Sequence, residues 1–188
     1  MSITVNASAS AQFAIYSSAS NVSTFSLPRL KKITMEYNST WQSYSGMEIN
    51  GAFYKTIDVP LLEDIELPSE TNSTVGLNVQ NCAELTTLNV QSLNPKKYIG
   101  LVIWLAGSPV IQSLQFDGLT KVDGNRGFIL ENLPILRNVS FPALVNLTWN
   151  AVPPASIRPN SALDLVSMPL LQVIQAPQSA LSISSNTN

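Results

Sequence analysis

Apolar residues recur along this chain in short triplets: one hydrophobic side chain, one intervening residue, then another hydrophobic side chain. Phe13/Ile15, Met47/Ile49, Leu77/Val79, Leu101/Ile103, Phe128/Leu130, Leu163/Leu165 and Leu181/Ile183 carry the pattern. Period two predicts β-strands, because successive side chains of a strand point to opposite faces. A second phrase places two apolar residues three apart, as in Leu85/Leu88, Ile111/Leu114, Leu136/Val139 and Leu171/Ile174. A third is opened by proline: Leu27-Pro-Arg-Leu-Lys-Lys-Ile33, Val59-Pro-Leu-Leu-Glu-Asp-Ile65 and Phe141-Pro-Ala-Leu-Val-Asn-Leu147.

Three-residue spacing also fits a helix. Prolines and β-branched residues interrupt each run before it reaches the roughly 10 to 12 residues that favour one. Proline fixes φ and donates no hydrogen bond, so it belongs at a corner or the start of a strand. The triplets begin at positions 13, 47, 77, 101, 128, 163 and 181, and the shortest full turn holds about two dozen residues. A unit of this size cannot bury its own apolar face and must bury it against the next copy. The expectation is an all-β solenoid of about six to seven coils, with residues 1–188 as a single domain.

One turn can be traced from residue 77 to 90. Leu77 and Val79 face inward, Asn81 and Cys82 turn the corner, and Leu85, Leu88 and Val90 face inward again. Phe128, Leu130, Asn132, Leu136, Val139 and Phe141 repeat it. Gly51, Ser167 and Ser185 are expected at the same corner, where residues that tolerate tight or left-handed backbone are favoured.

Composition narrows the class. The 188 residues are 45% hydrophobic, enough for one domain that buries roughly 70% of its unfolded surface. Only 12% are charged, and the net charge of −2 makes no field for nucleic acid; the basic pairs Lys31/Lys32 and Lys96/Lys97 are isolated. Cys82 is the only cysteine, which excludes an intrachain disulfide and reads as a small buried filler. No apolar run approaches the ~18 residues of a membrane span. The first residues lack the basic and apolar segments of a signal peptide, and the last lack a lipid-anchor tail. Neither end carries a capping repeat. The chain is therefore expected to be a piece of a longer protein, with self-association through its ends.

The phrases Ser26-Leu-Pro-Arg-Leu-Lys-Lys-Ile33, Val79-Gln-Asn-Cys-Ala-Glu-Leu-Thr-Thr-Leu88 and Glu131-Asn-Leu-Pro-Ile-Leu-Arg-Asn-Val-Ser-Phe-Pro-Ala-Leu144 resemble the receptor L-domain, a leucine-rich-repeat-like unit. Among its users they look most like the fungal GPI-anchored cell-wall organisation family. The resemblance implies a right-handed parallel β-helix, a secretory route, N-glycosylation, an extracellular place at the cell surface or wall, and a structural role there without catalysis. It supplies no catalytic residues.

Candidate chemistry is sparse. Without histidine, Ser-His-Asp triads, Cys-His dyads and most zinc sites are excluded, and the scattered glycines form no phosphate loop. No cofactor or metal is expected. Glu63, Asp64, Glu66 and Glu70 form the one acidic cluster, and the Glu63/Asp64 pair should sit one turn from Lys31 and Lys32 as a charge ladder. A polysaccharide-acting enzyme using Glu63, Asp64 or Glu66 is the rival, since glycoside hydrolysis needs two carboxyls on one cleft. Sequons occur at Asn6, Asn21, Asn38, Asn72, Asn138 and Asn146. Finally, Val102, Trp104, Ile129 and Val166 fall at outward positions of the first strand. Such a patch is a binding or self-association site, or else the ground covered by residues 149 to 160 with Pro153, Pro154 and Pro159. The expected function is a cell-surface or cell-wall structural and interaction protein, contacting wall polysaccharide or another surface protein. The alternatives are a ligand-binding receptor or adhesin ectodomain and the polysaccharide enzyme.

Overall fold

A computed structural model of the chain describes residues 2–6, 12–15, 22–36, 44–51, 53–66, 74–95, 101–124, 127–149, 155–175 and 181–183. These residues form strands and turns, with no helix among them. Strand β1 (Ser2–Asn6) precedes a coil made of β2 (Gln12–Ile15), β3 (Thr24–Ser26) and β4 (Lys32–Glu36). The next coils are β5 (Tyr44–Asn50), β6 (Thr56–Asp58) and β7 (Asp64–Glu66), then β8 (Thr74–Gln80) and β9 (Thr87–Asn89). They are followed by β10 (Leu101–Ala106), β11 (Ser113–Gln115) and β12 (Lys121–Gly124), and by β13 (Gly127–Glu131), β14 (Asn138–Ser140) and β15 (Asn146–Trp149). Last come β16 (Ser156–Ile157), β17 (Leu165–Ser167), β18 (Val173–Gln175) and β19 (Ser182–Ile183).

Each strand pairs in parallel with its counterpart one coil away, so the fold is a β-solenoid with three faces. The first face is one seven-stranded sheet in the order β19-β16-β13-β10-β8-β5-β2. The second consists of β3-β6-β9 and β11-β14-β17, and the third of β1-β4-β7 and β12-β15-β18. Inward side chains from all three faces make one apolar column. In four coils, those built on β5, β8, β10 and β13, the inward positions are buried on every side. That closed stack of about four turns is fewer than the six to seven coils expected. The outer coils contribute strands to the sheets but leave Phe25, Leu163, Val166 and Leu171 only partly buried.

The three-residue spacing is explained by turns. Leu85 N donates to Cys82 O, Ile111 N to Ser108 O, Leu136 N to Leu133 O and Leu163 N to Asn160 O, all at the first corner. At the second corner Leu30 N donates to Leu27 O, Leu62 N to Val59 O, Leu119 N to Phe116 O and Leu144 N to Phe141 O. The first and fourth residues of such a turn both look inward, and the second position is where proline's fixed φ is preset. Pro28, Pro60, Pro109, Pro134 and Pro142 stand there. The first corner is entered through left-handed backbone at Gly51, Asn81, Gly107 and Asn132, residue types that carry little penalty in that region. Ser167 is not at this corner; it closes β17. Ser185 lies outside the described residues.

Register corrects two triplets. Ile103 and Leu105, not Leu101 and Ile103, pair with Leu77 and Val79, since Leu101 pairs with Val75 two residues earlier; the bulge of β10 between Leu101 and Ile103 is in its pairing with β13. Leu163 and Leu165 are not a first-face triplet: Ile157 pairs with Leu130, placing Ala155 and Ile157 in that column. The first-face column therefore runs Phe13, Met47, Leu77, Ile103, Phe128, Ala155, Leu181, with steps of 34, 30, 26, 25, 27 and 26 residues. Small Ala155 hid the coil from a search for bulky residues. Beneath it, Phe116 and Phe128 both stack on Phe141, with ring centroids 5.0 and 5.1 Å apart, filling the column there.

Candidate functional site

On the outer side of the first sheet, Trp104 and Ile129 are neighbours in register, as their outward positions require. The indole Nε1 of Trp104 donates to Glu131 Oε1 at 3.0 Å, and the ring packs on a small cluster of Ile129 and Val75. Ile129 is only 8% exposed, so this is not the open apolar patch that strand alternation implies. Val166 belongs elsewhere. It lies in β17 on the second face, paired with Val139 and packed against the main core. The reason is the shifted coil: residues 155–157 supply the first-face strand, so 165–167 supply the second. Ser156 likewise extends the sheet beside Ile129 and does not form a flap over it. Val102 sits in the β10 strand at the bulge, and its side chain, with residues 150–154, lies outside the described residues.

The charge ladder is present. Lys31 Nζ lies 3.8 Å from Glu63, and Lys32 Nζ lies 3.9 Å from Asp64 and 2.6 Å from Glu66. Register explains it, since Lys32 pairs with Asp64 and Thr34 with Glu66 across adjacent coils. Lys32 is held above its ordinary value of 10.5, first by the hydrogen bond to Glu66, which desolvation opposes, and then by the charges of Glu66 and Asp64. Each described carboxylate of the cluster thus faces a lysine, not an opposing carboxyl across a cleft; Glu70 lies outside the described residues. Lys31, Lys32, Glu63 and Asp64, together with Ser92, Asn94 and Gly118, line a depression of about 460 Å³.

A second groove, of about 440 Å³, follows the first corner and is lined by Gly107, Pro109, Asn132, Pro134, Pro159 and Ser161. The corner turns put a proline at the same level of successive coils, which gives the groove its apolar wall. The repeated Pro109 and Pro134 were visible in the sequence as turn residues, but only stacking reveals them as a surface.

A polar ladder on the second face was also missed. Asp58 accepts from Ser26 Oγ at 3.0 Å and from Asn89 Nδ2 at 2.7 Å, linking three coils. At the first corner, buried Asn160 accepts from Leu133 N at 2.9 Å and donates to Leu130 O at 3.2 Å, replacing backbone partners. Cys82 is fully buried in the equivalent position three coils earlier, as a filler would be.

Of the sequons, Asn138 is exposed in β14 and Asn146 is partly buried in β15. Asn6 ends the β1 strand. Asn21, Asn38 and Asn72 lie outside the described residues. Among the described residues no group of three or more acidic or cysteine side chains could hold a metal ion. No helix there is long and apolar enough to cross a membrane. Comparison with protein-family models, with curated proteins and with solved structures finds no match to this chain.

Proposed function

We propose that the protein is a non-enzymatic structural and interaction module of a cell surface or cell wall, a receptor L-domain-like solenoid whose faces, not an internal pocket, meet its partner. Its coils are right-handed, the hand that parallel strand-to-strand crossovers adopt in about 98% of cases. The observation that carries the reading is the column of inward side chains, buried through four coils, which leaves the chemistry on the outer surfaces. Pairing of Glu63, Asp64 and Glu66 with lysines supports a ladder over an acid/base pair. Exposed Asn138 in an Asn-Val-Ser sequon supports a secretory route.

The full chain, mixed with washed insoluble wall glucan, should co-sediment saturably and release no soluble sugar. Absence of binding above an inert-particle control overturns the reading, as does sugar release that disappears in Glu66→Gln. A second reading, a receptor or adhesin ectodomain, is favoured by the proline-walled groove. In that case binding of a soluble ligand is lost in Ser161→Trp, which fills the groove.

A further inference from the structure

The groove at the first corner is bounded by two rows of residues from three successive coils. Ala106 pairs with Glu131 and Leu130 with Ile157, which puts Gly107, Asn132 and Pro159 at one level. Pro109, Pro134 and Ser161 follow two residues later, each at the second position of its corner turn. Between the rows, Ser108, Leu133 and Asn160 are fully buried. Two residues span at most about 7 Å, and three coils about 4.8 Å apart give the groove a length of about 10 Å. Its volume of about 440 Å³ falls within the range of small-ligand sites.

The lining selects the chemistry of an occupant. None of the six residues carries a charge, and Pro109, Pro134 and Pro159 are exposed. Proline brings no N–H, and Gly107 N already donates to Glu131 O at 3.2 Å, so a peptide strand meets no row of backbone donors. A polyproline segment docks against aromatic side chains, and the lining holds none. A helix, about 10–12 Å across, is too broad for the slot. Two polar groups remain. Asn132 takes left-handed backbone, as Gly51 and Gly107 do without a side chain. At the same corner the Asn81 amide is engaged with Asn50 Oδ1 at 3.2 Å, whereas the exposed Asn132 amide has no such partner among the described residues. Ser161 Oγ donates to Pro134 O at 3.2 Å and keeps its lone pairs to accept.

We infer that the groove binds an uncharged pyranose chain, a gluco-oligosaccharide, with the apolar C–H faces of its rings against the prolines and its hydroxyls on Asn132 and Ser161. A neutral ring with apolar faces and a rim of hydroxyls answers each feature of the lining. Burying its C–H faces on pyrrolidine removes apolar surface from water. Its hydroxyls both donate and accept, and so match the donor and acceptor of the Asn132 amide and the acceptor of Ser161 Oγ. This site deepens the proposed wall role, on which it rests, by naming the surface that holds the polysaccharide.

Titration of the full chain with a soluble β-linked glucopentaose, followed by NMR, should show one saturable site, and the side-chain amide signals of Asn132 should shift with the same midpoint. Asn132→Gly keeps the backbone conformation of the corner and should weaken binding about tenfold, the worth of one or two neutral hydrogen bonds. Ser161→Trp fills the groove and should abolish binding with an unchanged circular-dichroism spectrum; if it unfolds the chain, Ser161→Ala should weaken binding in its place. Lys31→Met, in the separate charged depression, should bind as wild type does. A wild-type chain that ignores the pentaose yet co-sediments with insoluble glucan overturns the groove and leaves the wall role standing. Undiminished binding by the Asn132 and Ser161 variants does the same, as does loss of binding in Lys31→Met, which moves the site to the depression. A chain that binds neither form of glucan overturns both.

Discussion

The first face and the other two faces are built from the same chain at the same spacing, yet only the first is continuous. Among the described residues seven strands follow one another there, while the second face breaks between β9 and β11 and no third-face strand stands between β7 and β12. Both breaks fall at one level, in the coil that leaves β9 and runs through residues 90–95. Pro95 lacks the N–H a third-face strand would donate. Side chains and close backbone take over where the ladder stops: Asn94 Oδ1 accepts from the N–H and the hydroxyl of Thr120, and Gly118 N donates to Gln91 O at 2.6 Å. Asn89 Oδ1, at the end of β9, is buried without a partner. Among the described residues the solenoid is thus two three-strand half-stacks on the second and third faces, tied by one sheet and a shared core. Continuity of backbone pairing can be lost on two faces without interrupting the column inside.

The largest effect should come from removing core volume behind the continuous first-face sheet. Ile103→Ala, on the continuous sheet and fully buried, should cost about 2–5 kcal/mol, as buried aliphatic truncations do. Leu88→Ala stands at the break and starts from 9% exposure, so its cost should lie near the lower end of the same range. Urea denaturation of both variants measures the difference. Equal costs, or a greater loss at Leu88, would mean the break does not soften the packing behind it.

Gly118 probes the break itself. A Cβ built there lies 2.7 Å from Gln91 O and 2.8 Å from Ser92 C, both backbone atoms that cannot swing aside. Gly118→Ala should therefore destabilise by about 1–3 kcal/mol, the usual range for overpacking. Hydrogen exchange should show the loss first at β9 and β12, flanking the break, and last in the first-face sheet. Uniform loss of protection would instead make the chain one cooperative unit without a seam.

The solenoid could be read from the sequence because its signal is redundant. Period-two triplets and inward residues three apart recur at the same interval, and every corner from Asn81 to Asn132 obeys the same backbone rule. The errors have local causes. Leu101, which pairs with Val75, imitates the start of a triplet two residues early, and Ala155, too small to register as hydrophobic punctuation, let Leu163/Leu165 stand in for Ala155/Ile157. That substitution carried Val166 to the wrong face and dissolved the four-residue patch, although Trp104 and Ile129 remained neighbours. The charge ladder survived because Lys31, Lys32, Glu63 and Asp64 lie on well-marked proline phrases on the same side of both errors. Grooves and seams depend on what is beside a residue one coil away, which a linear pattern conveys only when every coil length is right.

The smallest effect contrasts the half-stacks by charge. The N-terminal one carries Lys31 and Lys32 against Glu63, Asp64 and Glu66, while the C-terminal one carries the exposed Arg137–Asp164 pair at 3.8 Å. Exposed pairs contribute little. Lys32 is distinguished by its direction: its folded value is raised above the ordinary 10.5, chiefly by the hydrogen bond to Glu66. A lysine raised in the folded state binds its proton more tightly there than in the unfolded chain. Its contribution is fully present below the unfolded value and disappears as pH rises through the folded one. Wild type should therefore exceed Lys32→Met in urea midpoint at pH 8, and the gap should close only at alkaline pH above 10.5. Arg137→Met should show no such closure, because a guanidinium keeps its charge over that interval. A gap for Lys32→Met that persists unchanged through the alkaline range would assign it to packing of the lysine stem, and the half-stacks would then differ in contacts and not in charge.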